Sequence, residues 1–300
     1  MGNLTVRNIT PSLGAEIRGL EPQVPLDDDT IGELRELFDT RSVLVFPEMD
    51  IDEKFQKYLC YTLIGAELLE AAPANEGPDE PEPERPTFYV SNRTGDGAGA
   101  PYGRLLFHCD AQWARSPQPV ISLYGVEVED PNVPTMFVSM GDAWDSLPDD
   151  LRTRVEGLNA RHGYDNYYPN RGGDDDVIDA YYEESRSTIT PIANPHPRTG
   201  RTGLYVSEQA TLEIKDMEPD DYEQLLTELF EHLYAEENVL RHDWHQNDLV
   251  VWDNCAVQHA RAKVALDGPA RTLRKVTGPL TLEPDEVQLP SFSKLEASPS

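Results

Sequence analysis

The 300-residue sequence predicts a mainly β protein with covering helices, a sandwich or barrel core with helices packed on one sheet. Short apolar runs bounded by turn residues recur along the chain. They do not alternate regularly with helices, as a parallel α/β sheet requires. Helical periodicity is confined to four stretches, too few for a helical bundle.

The elements follow in order. Thr30 and Glu33 have the spacing of a capping box, ahead of Ile31, Leu34, Leu37 and Phe38 on one helical face. SVLVFPE (42–48) is an apolar, β-branched run suited to a buried strand. DEKFQKYLCYTLIG (52–65) is again amphipathic, whereas AAPANEGPDEPEPERP (71–86) is too rich in Pro and Glu for a helix or central strand and predicts a long loop. Strand-like pieces follow at PTFYVSN (86–92), VISLYGVEV (120–128) and TMFVSM (135–140). A helix is expected around PDDLRTRVEGLNA (148–160), with Pro148 in its first turn. DNYYPNRGGDDDVIDAYYEES (165–185) is polar and broken by Gly-Gly, a surface excursion of the kind that often carries function. TGRTGLYVS (199–207) leads from a turn into a strand. PDDYEQLLTELFEHLY (219–234) places Tyr222, Leu225, Leu226, Leu229, Phe230 and Leu233 on one helical face. The C-terminal part alternates strands with turns at Gln246-Asn247-Asp248 and Asp267-Gly268-Pro269. The expected organisation is one domain over 1–283, with loop insertions near 67–104 and 164–188 and a polar tail at 284–300.

Composition narrows the partners. Fifty-five acidic residues against 25 basic ones give a formal charge of −30, which repels phosphate backbones and anionic membranes and argues against both as partners. Three widely spaced cysteines make neither a disulfide framework nor a Cys-rich zinc site and fit a reducing cytoplasm. No apolar run approaches the ~18 residues of a membrane span. Against this acidity, ARTLRKVT (270–277) gathers Arg271, Arg274 and Lys275, a local positive site that points to an anionic small molecule.

FHCDAQW (107–113) holds the one His-x-Asp pair of a chain with seven histidines. Residues two apart in a strand share a face, so His108 and Asp110 reach one point while Cys109 faces away. A third ligand has to come from His162, His196, His232, His242, His245 or His259. His242 and His245, three apart in a strand, point to opposite faces and are set aside. His232 falls on the flank of the strongest helix and His196 in the turn-like NPHPRTG. His259, near a C-terminal strand, is best placed to close on His108. Two histidines and a carboxylate leave three adjacent positions of an octahedral ion open, the facial arrangement of non-heme iron(II) oxygenases. Arg271 follows across one short turn, so an antiparallel neighbour strand brings its carboxylate-matching fork to the same cavity.

With these residues the sequence resembles the TauD/TfdA, or taurine dioxygenase-like, family of iron(II)- and 2-oxoglutarate-dependent dioxygenases. The likeness runs through LTVRNITPSLGAEIRGLE, SVLVFPE, FHCDAQW, PTMFVS, HPRTGRTGLYVSE, WHQNDLVVWDNCAVQHARA and ARTLRKVT. It implies a double-stranded β-helix, the jelly-roll or cupin-like core. It implies His108, Asp110 and His259 as catalytic iron ligands, Arg271 as the group binding the distal carboxylate of 2-oxoglutarate, and Thr135 as its assistant. The cofactors implied are Fe(II), 2-oxoglutarate and O2. The reaction implied is oxidation of a C–H bond, by hydroxylation first of all, with release of succinate and CO2.

The likeness stops at the substrate. The stretch from about 66 to 104 lacks the His and Tyr of taurine enzymes, and Ala210 replaces a phenylalanine that packs there. GRLLF (103–107), with Arg104 and Phe107, makes a more apolar approach. Lys275 stands where taurine enzymes carry a second, sulfonate-binding arginine, so a carboxylate- or sulfonate-bearing small molecule is the expected substrate. Strand alternation places Arg271, Leu273 and Lys275 inward and Thr272 and Arg274 outward. Two alternatives stay open: a metal-dependent hydrolase using the same three ligands around a water, and a non-catalytic jelly roll that binds a small acid. A homo-oligomer is compatible with either reading.

Overall fold

The computed structural model describes residues 4–22, 25–65, 88–93, 98–99, 102–115, 117–163 and 187–278. The N-terminal hairpin is β1 (Thr5–Asn8) and β2 (Ala15–Arg18). Helix α1 (Asp28–Arg41) follows, its N-cap Asp27 accepting from the Thr30 amide. The expected Thr30/Glu33 capping box is therefore one turn out of place: Asp27 supplies the cap, and Thr30 is buried inside the first turn. Next come β3 (Val43–Phe46) and α2 (Glu53–Leu63), the latter capped by Asp52. Strands β4 (Phe88–Ser91), β5 (Ala98–Gly99) and β6 (Gly103–His108) show that the insertion expected near 67–104 is partly sheet. Residues 66–87, the excursion at 164–186 and the tail at 284–300 lie outside the described residues.

The middle of the chain forms β7 (Val120–Val128), β8 (Thr135–Ser139), α3 (Met140–Asp145), α4 (Asp149–Val155) and β9 (Asn159–Gly163). The helix expected from Pro148 to Ala160 is thus only α4. Pro148 stands at its N-cap, not in its first turn, and Gly157, at φ 77°, adopts the left-handed conformation that ends the helical run. Strands β10 (Ser187–Pro191), β11 (Ala193–Pro195), β12 (Thr202–Leu204) and β13 (Thr211–Ile214) precede α5 (Pro219–Leu233). The chain closes with β14 (Leu240–His242), β15 (Leu249–Asp253), β16 (Val257–Val264) and β17 (Arg271–Thr277).

Two sheets make the core, with strand orders β1-β2-β3-β15-β7-β17-β4-β5 and β14-β8-β16-β6. They face each other as a jelly roll, and period-two alternation decides what each strand sends where. Val43 and Val45 of β3 join Val250 and Trp252 of β15, Phe137 of β8 and Leu273 of β17 between the sheets. The intervening Leu44, Phe46, Leu249 and Val251 pack outward against Leu34 and Phe38 of α1 and Leu59 of α2. On the far side, Val138 and Ala260 of the smaller sheet meet Leu225, Leu226, Leu229 and Leu233 of α5, the face its periodicity predicts. Helices therefore cover both sheets, not one. Among the described residues, no helix is long and apolar enough to cross a membrane.

The corrected cap yields a test. Asp27→Ala is expected to cost about 1 kcal/mol, the usual value of an N-cap, while Glu33→Ala leaves stability within a few tenths of that of the parent chain. Chemical denaturation of both variants checks it, and the opposite ranking would restore the capping box.

Candidate active site

The smaller sheet places β16 between β8 and β6. His259 pairs in register with His108, so their side chains share the inner face, with ring centroids 4.2 Å apart. Asp110 lies in the turn beyond β6, where Ala111 takes a left-handed φ of 56°. The convergence of His108 and Asp110 thus comes from a turn and not from strand alternation, although Cys109 does face away, into a cluster with Met140 and Tyr205. Asp110 Oδ1 stands 3.4 Å from His108 Nε2 and 3.9 Å from His259 Nε2.

The donor set fits a divalent iron. His108 Nδ1 lies 2.7 Å from the Leu106 carbonyl; that nitrogen carries the proton and leaves the Nε2 lone pair for a metal. Burial, and then the neighbouring His108, hold the His259 pKa well below the usual histidine range, which keeps it a neutral ligand. Burial pushes the Asp110 carboxyl up. Lys275 and then the two histidines overcome this and hold it well below the ordinary carboxylate range. The three groups would hold iron(II) through two imidazoles and one carboxylate, with adjacent positions left for other ligands.

Asp110 is gripped by a residue that the sequence reading passed over. Its amide donates to Asn254 Oδ1 at 2.9 Å, and Asn254 Nδ2 donates to the carbonyls of Asp110 and Gln118, each at 2.9 Å. Asn254 is fully buried. The signal for it was a turn-forming Asn in WDN just ahead of His259.

Further along the smaller sheet, where Arg261 of β16 pairs with Thr135 of β8, Arg271 donates from Nε to the Val133 carbonyl at 3.0 Å and from Nη2 to Thr135 Oγ1 at 3.3 Å. Trp244 Nε1 donates to the same hydroxyl oxygen at 3.0 Å. With two donors on its oxygen, the Thr135 hydroxyl has its own proton left to give, which suits a carboxylate. Burial, and behind it the nearby Arg261, pull the Arg271 pKa down to about 9, still charged at neutral pH. Its route into the cavity differs from the expected one. β17 is not a neighbour of β16: it lies in the larger sheet between β7 and β4. The turn at 265–270 crosses from one sheet to the other, and Arg271 reaches in from across the sandwich.

The inward register of β17 is as alternation predicts. Leu273 lies between the sheets. Arg274 turns out to Gln56 Oε1 and the Ile51 carbonyl, stacked over the Tyr124 ring. Lys275 points inward, but its ammonium is bonded to Asp110 Oδ2. Of the other substrate candidates, Arg104 is half-buried on β6. Phe107 faces away from His108: it belongs to the cluster under α5 and stacks on Tyr234 at 4.3 Å between centroids. An odd number of residues from His108 puts it on the wrong side of the strand. Ala210 is buried on the turn before β13, its amide donating to Ser207 Oγ at 3.2 Å.

The remaining histidines take other partners. His162 is buried among Gln112, Thr190 and Thr211, and burial lowers its pKa to about 3. His232 Nε2 donates to the Ala143 carbonyl at 2.9 Å. His242 and His245, set aside as divergent, both approach Asp248 Oδ2, at 3.4 and 3.3 Å, because β14 ends at His242 and alternation no longer applies beyond it. His196, Asp253 and Cys255 form a second compact group. His196 Nδ1 accepts from the amides of Arg198 and Thr199, so Nε2 carries the proton and donates to Asp253, which Arg198 also neutralises. Burial raises the Cys255 thiol to about 12. That group is already satisfied by its own hydrogen bonds and ion pair.

A jelly roll that brings two histidines and an aspartate within reach of one ion, with a buried arginine and threonine further along the same strands, fits the class of non-heme iron oxygenases that use an oxo-diacid. The model of the Taurine catabolism dioxygenase TauD, TfdA family matches residues 5–277, and the chain belongs to that family. It is 27% identical over 290 residues to the alpha-ketoglutarate-dependent 2,4-dichlorophenoxyacetate dioxygenase of Cupriavidus pinatubonensis, covering 89% of this chain and 94% of the relative. It is 28% identical to the (S)-phenoxypropionate/alpha-ketoglutarate-dioxygenase of Sphingobium herbicidovorans, covering 83% and 85%. With the pentalenolactone F synthase of Streptomyces arenae it shares 29%, covering 88% and 91%. The fold is shared with AAD-2 in complex with Mn(II) and N-oxalylglycine, at TM-score 0.71 and 24% identity over 92% of this chain and 97% of that one. It is shared too with a taurine dioxygenase from Burkholderia xenovorans, at TM-score 0.69 and 22% identity over 94% and 92%. The protein is an iron(II)- and 2-oxoglutarate-dependent dioxygenase that acts on a small molecule, and O2 is its oxidant.

Asn254→Ala is expected to weaken divalent-metal binding by about tenfold or more, the usual cost of losing a partner that orients a ligand. Mn(II) titration followed by EPR measures it. Unchanged affinity in a folded variant would show that Asp110 holds its place without Asn254.

Proposed function

We propose that this dioxygenase hydroxylates a small organic acid carrying a carboxylate beside an apolar, aryl-ether-like body, with His108, Asp110 and His259 as the iron ligands and Arg271 and Thr135 as the anchor of 2-oxoglutarate. The observation that carries the reading is the inward face of β17. In a chain of net charge −30, β17 brings two cations to the site between the sheets, Arg271 at Thr135 and Lys275 at Asp110 of the triad. Counted with iron(II), Asp110 and a dianionic cosubstrate, Arg271 and Lys275 leave the site one positive charge over, a field that suits an acid although the Lys275 ammonium itself is held by Asp110. The 2,4-dichlorophenoxyacetate and (S)-phenoxypropionate named for two relatives are such acids. Arg104, Leu105 and Leu106 precede His108 on β6, a cationic and apolar stretch suited to such an acid, whereas the positions that would hold taurine are changed.

Iron(II) with 2-oxoglutarate and O2 supplies the oxidant for the C–H bond, and succinate and CO2 leave. The chain's own contribution is positional. Arg271 and Thr135 fix the distal carboxylate of the cosubstrate. His108 stays in the tautomer that Leu106 sets. Phe137 and Trp252 pack against the His259 ring and, with Leu273, keep water from behind it. The retained carboxylate of Asp110 favours hydroxylation over halogenation. We propose that residues 1–283 form this one domain and that it works in the cytoplasm, where its three free thiols stay reduced.

The test is a coupled assay of succinate release with Fe(II), 2-oxoglutarate and a panel of phenoxyacetates, phenoxypropionates, benzoates and taurine. Aryloxyalkanoates are expected to stimulate succinate release at least tenfold over taurine. Stimulation by taurine alone would replace the carboxylic-acid reading with a sulfonate one.

A further inference from the structure

We infer that Lys275 is a positioning residue for the metal ligand Asp110: its ammonium holds Oδ2 and reserves Oδ1 for the metal, so that the carboxylate occupies one coordination position and not two. The two oxygens are already divided in the structure. Oδ1 is the one both histidine Nε2 atoms face, at 3.4 and 3.9 Å, and Oδ2 is the one bonded to Lys275 Nζ. A carboxylate free at both oxygens can clasp a divalent cation with both. Here that second bond would consume one of the three adjacent positions that a two-histidine, one-carboxylate centre leaves open, and a two-point oxo-diacid together with O2 needs all three.

The geometry gives the lysine a fixed base for this task. Asp110 belongs to the turn after β6 in the smaller sheet, and Lys275 to β17 in the larger one, so the contact spans the sandwich. At its root, Lys275 is paired with Leu123 on one side and Phe88 on the other. Its ammonium lies 5.8 Å from the centroid of the Phe88 ring, within cation–π range. Asn254 fixes the Asp110 backbone from the opposite side, which leaves rotation of the carboxylate as the freedom still to be removed. A cation aimed at a substrate anion would have no need of Oδ2. A cation that sets the denticity of the metal ligand has no other place to be.

The test rests on the iron and 2-oxoglutarate reading, and its first control separates the two: the wild-type protein, loaded anaerobically with Fe(II), should develop the visible charge-transfer band of the chelate as 2-oxoglutarate is added. Lys275→Met is expected to keep the metal but need about tenfold more 2-oxoglutarate to reach half of the band, with a displaced maximum. Lys275→Arg, which retains the donor, should restore both. Mn(II) EPR without cosubstrate should likewise differ between wild type and Lys275→Met, and it decides the question even if the iron band proves absent. Lys275→Gln replaces Lys275→Met if the latter does not fold. A wild-type titration, band and Mn(II) spectrum in the methionine variant, with only the organic substrate bound more weakly, would overturn the inference and return Lys275 to substrate binding. So would a loss that Lys275→Arg fails to restore.

Discussion

Because β16 is hydrogen-bonded to β6 on one edge and β8 on the other, its register sets both ends of the cavity at once: His259 stands opposite His108, and two residues along, Arg261 stands opposite Thr135. Two residues of strand advance about 6.6 Å, the length scale of a five-carbon dicarboxylate. The His108–His259 end and the Thr135 end are therefore spaced by the backbone itself. A slip of one residue would turn His259 outward into the cluster under α5 and bring Ala260 opposite His108. The apolar pattern on both faces of β16 forbids that slip, with Val257 in the inner core and Ala260 in the outer one. Core packing and chemistry depend on the same alternation.

The larger sheet contributes charge where the smaller one contributes the two histidines. β17 presents Arg271, Leu273 and Lys275 to the cavity, the apolar residue separating two cations with different partners. Iron(II), one aspartate, a dianionic cosubstrate and Arg271 sum to neutrality, which is what a dry site tolerates. Lys275 then leaves one positive charge over, next to Asp110. The acidic exterior does not contradict this. Its charges are mostly exposed and screened over about 8–10 Å of salt solution, while Arg271 is buried and its field is not.

Much of this was legible in the sequence because it depends on local pattern. The strands, the face of α5, the inward set of β17 and the pairing of His108 with His259 all follow from periodicity joined to motif. What escaped depends on where strands sit in space. Short separation in sequence made Arg271 look like a neighbour of His259, but the sheet order sends β16 and β17 to opposite layers. Phe107 looked like a pocket residue because it adjoins His108, although adjacency in a strand means opposite faces. Asn254 gave only the weak signal of a turn asparagine, which is common, and its grip on Asp110 appears only when residues 144 positions apart meet in the fold. The Lys275 contact was hidden for the same reason. Sequence placed the lysine on the right face, and only the turn after β6 shows which atom it meets.

The chemistry turns on three side chains, delivered by β6, its following turn and β16, which we propose form the metal centre. Crystals grown with Mn(II) and N-oxalylglycine allow it to be read directly from anomalous scattering at the manganese edge. One strong peak is expected, bonded to His108 Nε2, Asp110 Oδ1 and His259 Nε2, with the inhibitor's distal carboxylate at Arg271 and Thr135. A peak at His196, Asp253 and Cys255, with nothing between His108 and His259, would contradict it.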